Sequence, residues 1–170
     1  MRNVSHESDD ALTLARISKR YGSAVALQDV SLRVRRGTVH VLLGENGAGK
    51  TTLMHIAFGM VRPDAGVVYV QGRIVEAHSP ADAIRAGIGM VHQHFTLVPA
   101  MTVAENLALG GRGLLRPQTV IAAAQGLAER TGFPLDPAAR IESLSVGAQQ
   151  RVEIAKALIH RATLLILDEP

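Results

Sequence analysis

Cysteine and tryptophan are both missing from this 170-residue chain. Without cysteine there is no disulfide scaffold, no zinc knuckle and no thiol nucleophile, and an oxidising compartment leaves no mark on the composition. Lysine is scarce, at Lys19, Lys50 and Lys156, so arginine carries nearly all of the positive charge and the net charge is only +3. Those arginines are scattered and aromatic residues make up 3% of the chain, which leaves out the basic stripes and stacking platforms of a nucleic-acid binder; no nucleic-acid partner is expected. Long hydrophobic runs are missing as well. The apolar stretches around Val39 to Leu43 and Leu164 to Leu167 are strand-sized, far below the roughly 18 residues of a membrane helix. Residues 1–10 are polar, with Glu7, Asp9 and Asp10, and lack the regions of a secretory leader. They are expected to form a disordered tail, and the chain is expected in the cytoplasm.

What is present, 47% hydrophobic, suits a globular chain with one core and room for a small subdomain. Ala11 to Ile17 and Val30 to Val34 alternate apolar and polar residues, which predicts half-exposed antiparallel strands. Thr38 to Leu43 is more continuously apolar and runs into Gly44, while Lys50 to Phe58 has helical spacing; the prediction is strand, glycine loop, helix. A turn at Pro63 to Gly66 precedes a strand at Val67 to Val70, Ser79 is placed to cap a helix beginning at Pro80, and Ile88 to Val91 reads as a short buried strand. From Leu97 to about Arg140 the texture is alanine-rich and helical, punctuated by Thr102 and by Gly110 to Gly113. A helix over Gly147 to His160 and a fully apolar strand over Thr163 to Leu167 follow. Strands alternating with helices imply an α/β fold with a mostly parallel sheet, here with an antiparallel N-terminal β part and a helical part over 97–150.

Gly44-Glu45-Asn46-Gly47-Ala48-Gly49-Lys50-Thr51 fits the phosphate-loop pattern in its required setting, a strand before and a helix after. The glycines let several backbone N–H groups turn inward at the positive end of a helix. Lys50 adds a point charge for β and γ phosphates, and the Thr51 hydroxyl is placed for Mg²⁺. Leu164 to Leu167 then delivers Asp168 and Glu169 to a strand's C-terminal end, where ligands of parallel sheets sit. Asp168 suits a Mg²⁺ shell, and Glu169 suits a base that orients or deprotonates water.

Leu144-Ser145-Val146-Gly147-Ala148-Gln149-Gln150, leading into a helix, resembles the signature segment of ATP-binding cassette (ABC) ATPases, usually Leu-Ser-Gly-Gly-Gln. Val146 replaces the first glycine, and Ala148-Gln149 stands where a single glutamine normally follows. Ser145 is also a hydroxyl at a helix start beside a glycine, a second anion-binding device. The resemblance runs from about Ala11 to Pro170 and implies a P-loop NTPase core, incomplete at the C-terminus, in a partial nucleotide-binding domain over 11–170. It implies that Tyr21 stacks on adenine, that Gln93 senses Mg²⁺ and the γ-phosphate, and that Thr52 contacts the α-phosphate. It further implies that Ser145, Val146, Gly147 and Gln149 face an ATP held by an opposing cassette. Gly87 to Phe95, Val98-Pro99, Thr102 to Asn106 and Leu144 to Gly147 together look like the first cassette of simple-sugar and nucleoside importers.

By that resemblance the cofactors are ATP and Mg²⁺. The partners are transmembrane permease subunits, a second cassette in a head-to-tail dimer and, indirectly, an extracytoplasmic solute-binding protein, with the chain peripheral on the cytoplasmic face of the membrane. Ending at Leu167-Asp168-Glu169-Pro170, the chain is expected to be a fragment that hydrolyses ATP poorly by itself, because no residue here takes the role of the family's later switch histidine. A soluble ABC ATPase of translation or DNA repair would share every nucleotide motif and lack the permease. A kinase or GTPase on the same loop would lack both the Leu144 to Gly147 segment and a stacking Tyr21.

Overall fold

The computed structural model describes residues 9–75, 79–91, 96–109 and 117–168. The chain divides into two compact units, one up to Ile88 and one from Gly89.

The first unit is built on a four-stranded sheet of order β2-β1-β3-β4, formed by β1 (Asp10–Tyr21), β2 (Ala24–Arg35), β3 (Ala65–Val70) and β4 (Arg73–Ile74). All of its pairings are antiparallel, as the alternating patterns predict. Both long strands outrun their predicted limits, and β1 changes phase on the way. Leu12 and Leu14 are buried from one parity, then Ile17 from the other. The switch falls at Arg16, which takes a left-handed backbone (φ 55) and whose guanidinium pairs with a second such residue on the neighbouring strand, Asp29 (φ 51). These irregularities divert backbone donors from the ladder, and two serines accept them: Arg16 N–H donates to Ser31 Oγ at 3.0 Å and Asp29 N–H to Ser18 Oγ at 3.0 Å. Helices α1 (Lys50–Ala57) and α2 (Pro80–Arg85) complete the unit. Leu53, Ile56 and Ala57 of α1 are buried, and full burial of a Leu or Ile side chain contributes ~1.5–3 kcal/mol. Ser79 caps α2 as predicted, its side chain accepting from Asp82 N–H.

Two expectations for this unit need correction. Of the predicted tail, residues 1–8 lie outside the described residues, but Asp10 opens β1 and the Asp9 carbonyl accepts from Arg36 N–H at 2.9 Å. Order therefore begins before residue 11, because β2 supplies partners that far. Thr38 to Leu43, predicted as the strand before the loop, forms no ladder, and Val39, Val41 and Leu43 are 94%, 67% and 85% exposed. Apolar sequence on both faces makes a strand only where a sheet offers backbone partners, and β2 is already paired with β1 on the side it uses.

In the second unit, β5 (Ile88–Val91) and β6 (Leu164–Leu167) form a two-stranded sheet. Their C-terminal ends lie together, with Asp168 N–H donating to Val91 O at 3.1 Å. All four residues of β5 are buried. Gly89 is needed for close approach: a Cβ there would fall 2.9 Å from the Cβ atoms of both Ala157 and Ala162. The helical part consists of α3 (Val103–Ala108), α4 (Pro117–Thr131), a 3₁₀ turn at Ile141–Ser143 and α5 (Val146–Ile159). One apolar cluster unites them, with Val103 and Leu107 of α3, Val120, Ala124 and Leu127 of α4, Ile141, and Val152 and Ala155 of α5. Residues 132–140 leave the predicted helical run. Gly132 turns left-handed (φ 69) after α4, and Pro134 and Pro137 have no N–H to continue it. The Gly110 to Gly113 break lies outside the described residues. Among the described residues no helix is long and apolar enough to cross a membrane.

Candidate functional site

The glycine loop of the first unit is shaped by its last glycine. Gly49 sits at the start of α1 with φ 87, and a Cβ on it would lie 2.6 Å from Ala26 O and 2.8 Å from Leu27 Cδ2 of β2. Only glycine satisfies both the left-handed turn and the close contact with β2. Leu53 N–H donates to Gly49 O at 2.9 Å to begin the helix, and Ala48 N–H to Glu45 O at 3.1 Å closes the turn before it. Gly49 offers α1 no side-chain cap, so no capping side chain competes with an anion for the helix start. Lys50 Nζ reaches back across the loop to Gly44 O at 2.7 Å and Glu45 O at 2.9 Å. The ammonium, the helix dipole and the inward-turned loop thus concentrate positive potential at one place. Glu45, Asn46, Gly47 and Ala48 are exposed along the rim, as is Thr51, while Thr52 is half-buried one residue further on. Gly47, at φ 81, has open space where a side chain would be.

Tyr21 is brought to this loop by the β1–β2 hairpin. It pairs with Ala24, two residues from the Ala26 carbonyl that Gly49 touches, a span of ~7 Å along the strand. Tyr21 is 50% exposed. Beside it, Lys19 Nζ pairs with Asp64 Oδ1 at 2.9 Å, and Arg20 N–H donates to Asp64 Oδ2 at 2.7 Å. The Lys19 bond, then the Arg20 N–H, hold the Asp64 carboxyl below the ordinary carboxylate range.

In the second unit, the bond from Asp168 to Val91 sets this half-buried carboxylate at a strand's C-terminal end, against the residue two before Gln93 in sequence. Gln93 and Glu169 themselves lie outside the described residues. At the start of α5, Ser145, Val146 and Gly147 are exposed; Ser145 Oγ accepts from Ala148 N–H at 3.4 Å, a long bond. Gln149 turns back into its own unit, donating to Ile141 O at 3.3 Å and Leu144 O at 3.1 Å.

Residues 27–170 match the ABC transporter family. The chain belongs to that family. It is 46% identical over 167 residues to a nucleoside import ATP-binding protein of Lactococcus lactis, covering 96% of this chain and 33% of that protein. It is 48% identical over 163 residues to a ribose import ATP-binding protein of Rubrobacter xylanophilus, covering 94% of this chain and 33% of that one. The chain therefore spans about a third of the length of these curated relatives. Among solved structures it resembles a nucleotide-free ATP-binding cassette from an ABC transporter (TM-score 0.80, 28% identity, 95% of this chain and 69% of that one). It also resembles an ABC transporter cassette in its ADP conformation (TM-score 0.82, 26% identity, 93% and 68%).

Three polar positions in this ABC family chain escape sequence reasoning. Lys19, near the end of β1, meets Asp64, in the turn before the neighbouring strand β3. Glu153, buried in α5, accepts from both the backbone N–H and the hydroxyl of Thr96, three residues past Gln93 in sequence. No motif flags such pairs, because their partners are 45 and 57 residues away. Asn106, fully buried, was legible only as part of a family-like string; its amide accepts from Val98 N–H at 2.7 Å and donates to Val98 O and Thr102 O.

Proposed function

We propose that this chain binds ATP at the Gly44 to Thr51 loop and, within an import cassette, supports ATP hydrolysis that drives uptake of a sugar or nucleoside through membrane permease subunits. The observation that carries the reading is the start of α1: a helix with no side-chain cap, a left-handed Gly49 packed on β2, and Lys50 held across the loop mouth. The names of the nucleoside and ribose import relatives support the solute class.

In this reading Tyr21 stacks on adenine, the loop N–H groups and Lys50 hold the β and γ phosphates, and Thr52 takes the α-phosphate. Thr51 and Asp168, with Gln93, offer the oxygen donors that Mg²⁺ prefers, and the ion when bound offsets phosphate charge. Glu169 orients the attacking water. Ser145, Val146 and Gly147 present a second helix start to the ATP of an opposing cassette in a head-to-tail dimer, and Gln149 keeps that turn in shape. Residues 11–170 are then a cassette with 97–150 as its helical subdomain. It sits peripherally on the cytoplasmic face of the membrane, with an extracytoplasmic binding protein delivering the solute.

Titration of the chain with ATP and Mg²⁺ by calorimetry tests the first step. Lys50→Ala removes charge-assisted bonds of about 1.5–3 kcal/mol, so affinity should fall about tenfold to a hundredfold. Equal affinity in the variant would overturn the assignment of the loop.

A further inference from the structure

Lys19 is an unusual lysine. Its side chain is only 16% exposed, and its ammonium is held between the Asp64 carboxylate at 2.9 Å and the Tyr21 ring, 5.6 Å from the ring centroid. Asp64 is itself tied to this strand, accepting from Arg20 N–H and donating its own N–H to Ser18 O at 2.9 Å. Residues 18 to 20 are thus fastened to the turn before β3, and the cation they carry is aimed at Tyr21 rather than at solvent.

We propose that Lys19, seated by Asp64, is a positioning and specificity residue for the base of the bound nucleotide, acting through the Tyr21 ring. The inference rests on the adenine-stacking reading above. A ring face carries negative potential, so an ammonium over it is attracted and fixes the ring's orientation. The same quadrupole makes a face-to-face stack with another electron-rich ring unfavourable. A cation over one face draws electron density toward itself and leaves the opposite face less negative, better suited to a purine. Lys19 braces one face of the ring, and Tyr21 is half exposed, which leaves the residue accessible to a base. Neither Lys19 nor Asp64 needs to touch the nucleotide for this effect.

The test compares two probes on the 170-residue chain: ATP, which has a base, and inorganic tripolyphosphate, which has only the phosphate chain. Lys19→Gln should weaken ATP about two- to fivefold, the span of an exposed to partly desolvated cation–π contact, and leave tripolyphosphate unchanged. Lys19→Arg should restore ATP binding, because a guanidinium can pair with Asp64 and lie over the ring. Tyr21→Ala should weaken ATP at least as much as Lys19→Gln, again sparing tripolyphosphate. Equal loss of both probes in Lys19→Gln would assign the residue a purely structural role and overturn the proposal. So would an unchanged ATP affinity in Lys19→Gln where Tyr21→Ala weakens it. If Tyr21→Ala leaves the ratio of the two affinities unaltered, the stacking reading itself fails and this inference falls with it.

Discussion

Helices α1 and α3 begin in opposite ways. At α3, Thr102 Oγ1 accepts from Glu105 N–H while the Glu105 carboxylate takes the Thr102 N–H at 2.7 Å, a reciprocal capping box that seals the helix start with its own side chains. At α1 the cap is a left-handed glycine with no side chain. The start of α5 is intermediate, its serine accepting one long bond. A helix whose start belongs to the scaffold uses up its first donors internally, whereas one that receives an anion leaves them for the ligand. The contrast separates a helix start sealed by its own side chains from one left open, a difference that helix length and hydrophobicity do not show.

The largest effect expected on this contrast is at Gly49. Gly49→Ala combines a left-handed strain of about 1–2 kcal/mol with overpacking of about 1–3 kcal/mol against Ala26 and Leu27, so urea midpoints should fall steeply. A variant as stable as the parent would show that the loop can move off β2 freely. On the scaffold side, Asn106→Ala strands the Val98 N–H and takes one of two donors from each of Val98 O and Thr102 O, leaving a cavity where the fully buried amide was. A loss of about 3 kcal/mol in chemical denaturation is expected, with the ATP affinity of refolded protein unchanged. Smaller still, Thr102→Ala should cost about 1 kcal/mol and Ser145→Ala about 0.5 kcal/mol, since the Ser145 bond is long. Equal costs would erase the ranking of the two caps.

The smallest expected effect is a pH dependence. The Thr102 backbone N–H, then its hydroxyl, hold the Glu105 carboxyl below its ordinary range, and the Lys19 bond does the same for Asp64. A carboxyl whose folded pKa is depressed contributes stability above its unfolded value, about 4, and that contribution is lost as pH falls through the depressed folded pKa. Thermal midpoints should therefore decline on acidification below about pH 4, and Glu105→Gln should flatten part of that slope. An unaltered slope in Glu105→Gln would detach the capping box from acid sensitivity.

Much of the candidate site was legible because its chemistry is local. The left-handed turn at Gly49, Lys50 one residue beyond and the serine before α5 each act within a few residues, and the caps at Ser79, Thr102 and Ser145 need only their own helix. The strand alternation of β1 was legible only in part. Nothing in Ala11 to Ile17 announces that Arg16 will turn left-handed and move the buried face from Leu14 to Ile17. Sidedness in a strand depends on register with a neighbour, and the matching irregularity at Asp29 lies in the neighbour.

By itself, then, the sequence determined where the uncapped, glycine-led helix starts, which residues cap the others and which segments have apolar faces, since backbone dihedral preference and capping are properties of short stretches. Tertiary structure alone decided that Thr38 to Leu43 lies exposed outside any ladder, that Gly49 rests on Ala26, and that Asp64 carries Lys19 to the Tyr21 ring. A strand's hydrogen bonds and a half-buried ammonium's counter-charge must come from elsewhere in the chain, and only folding brings them within reach.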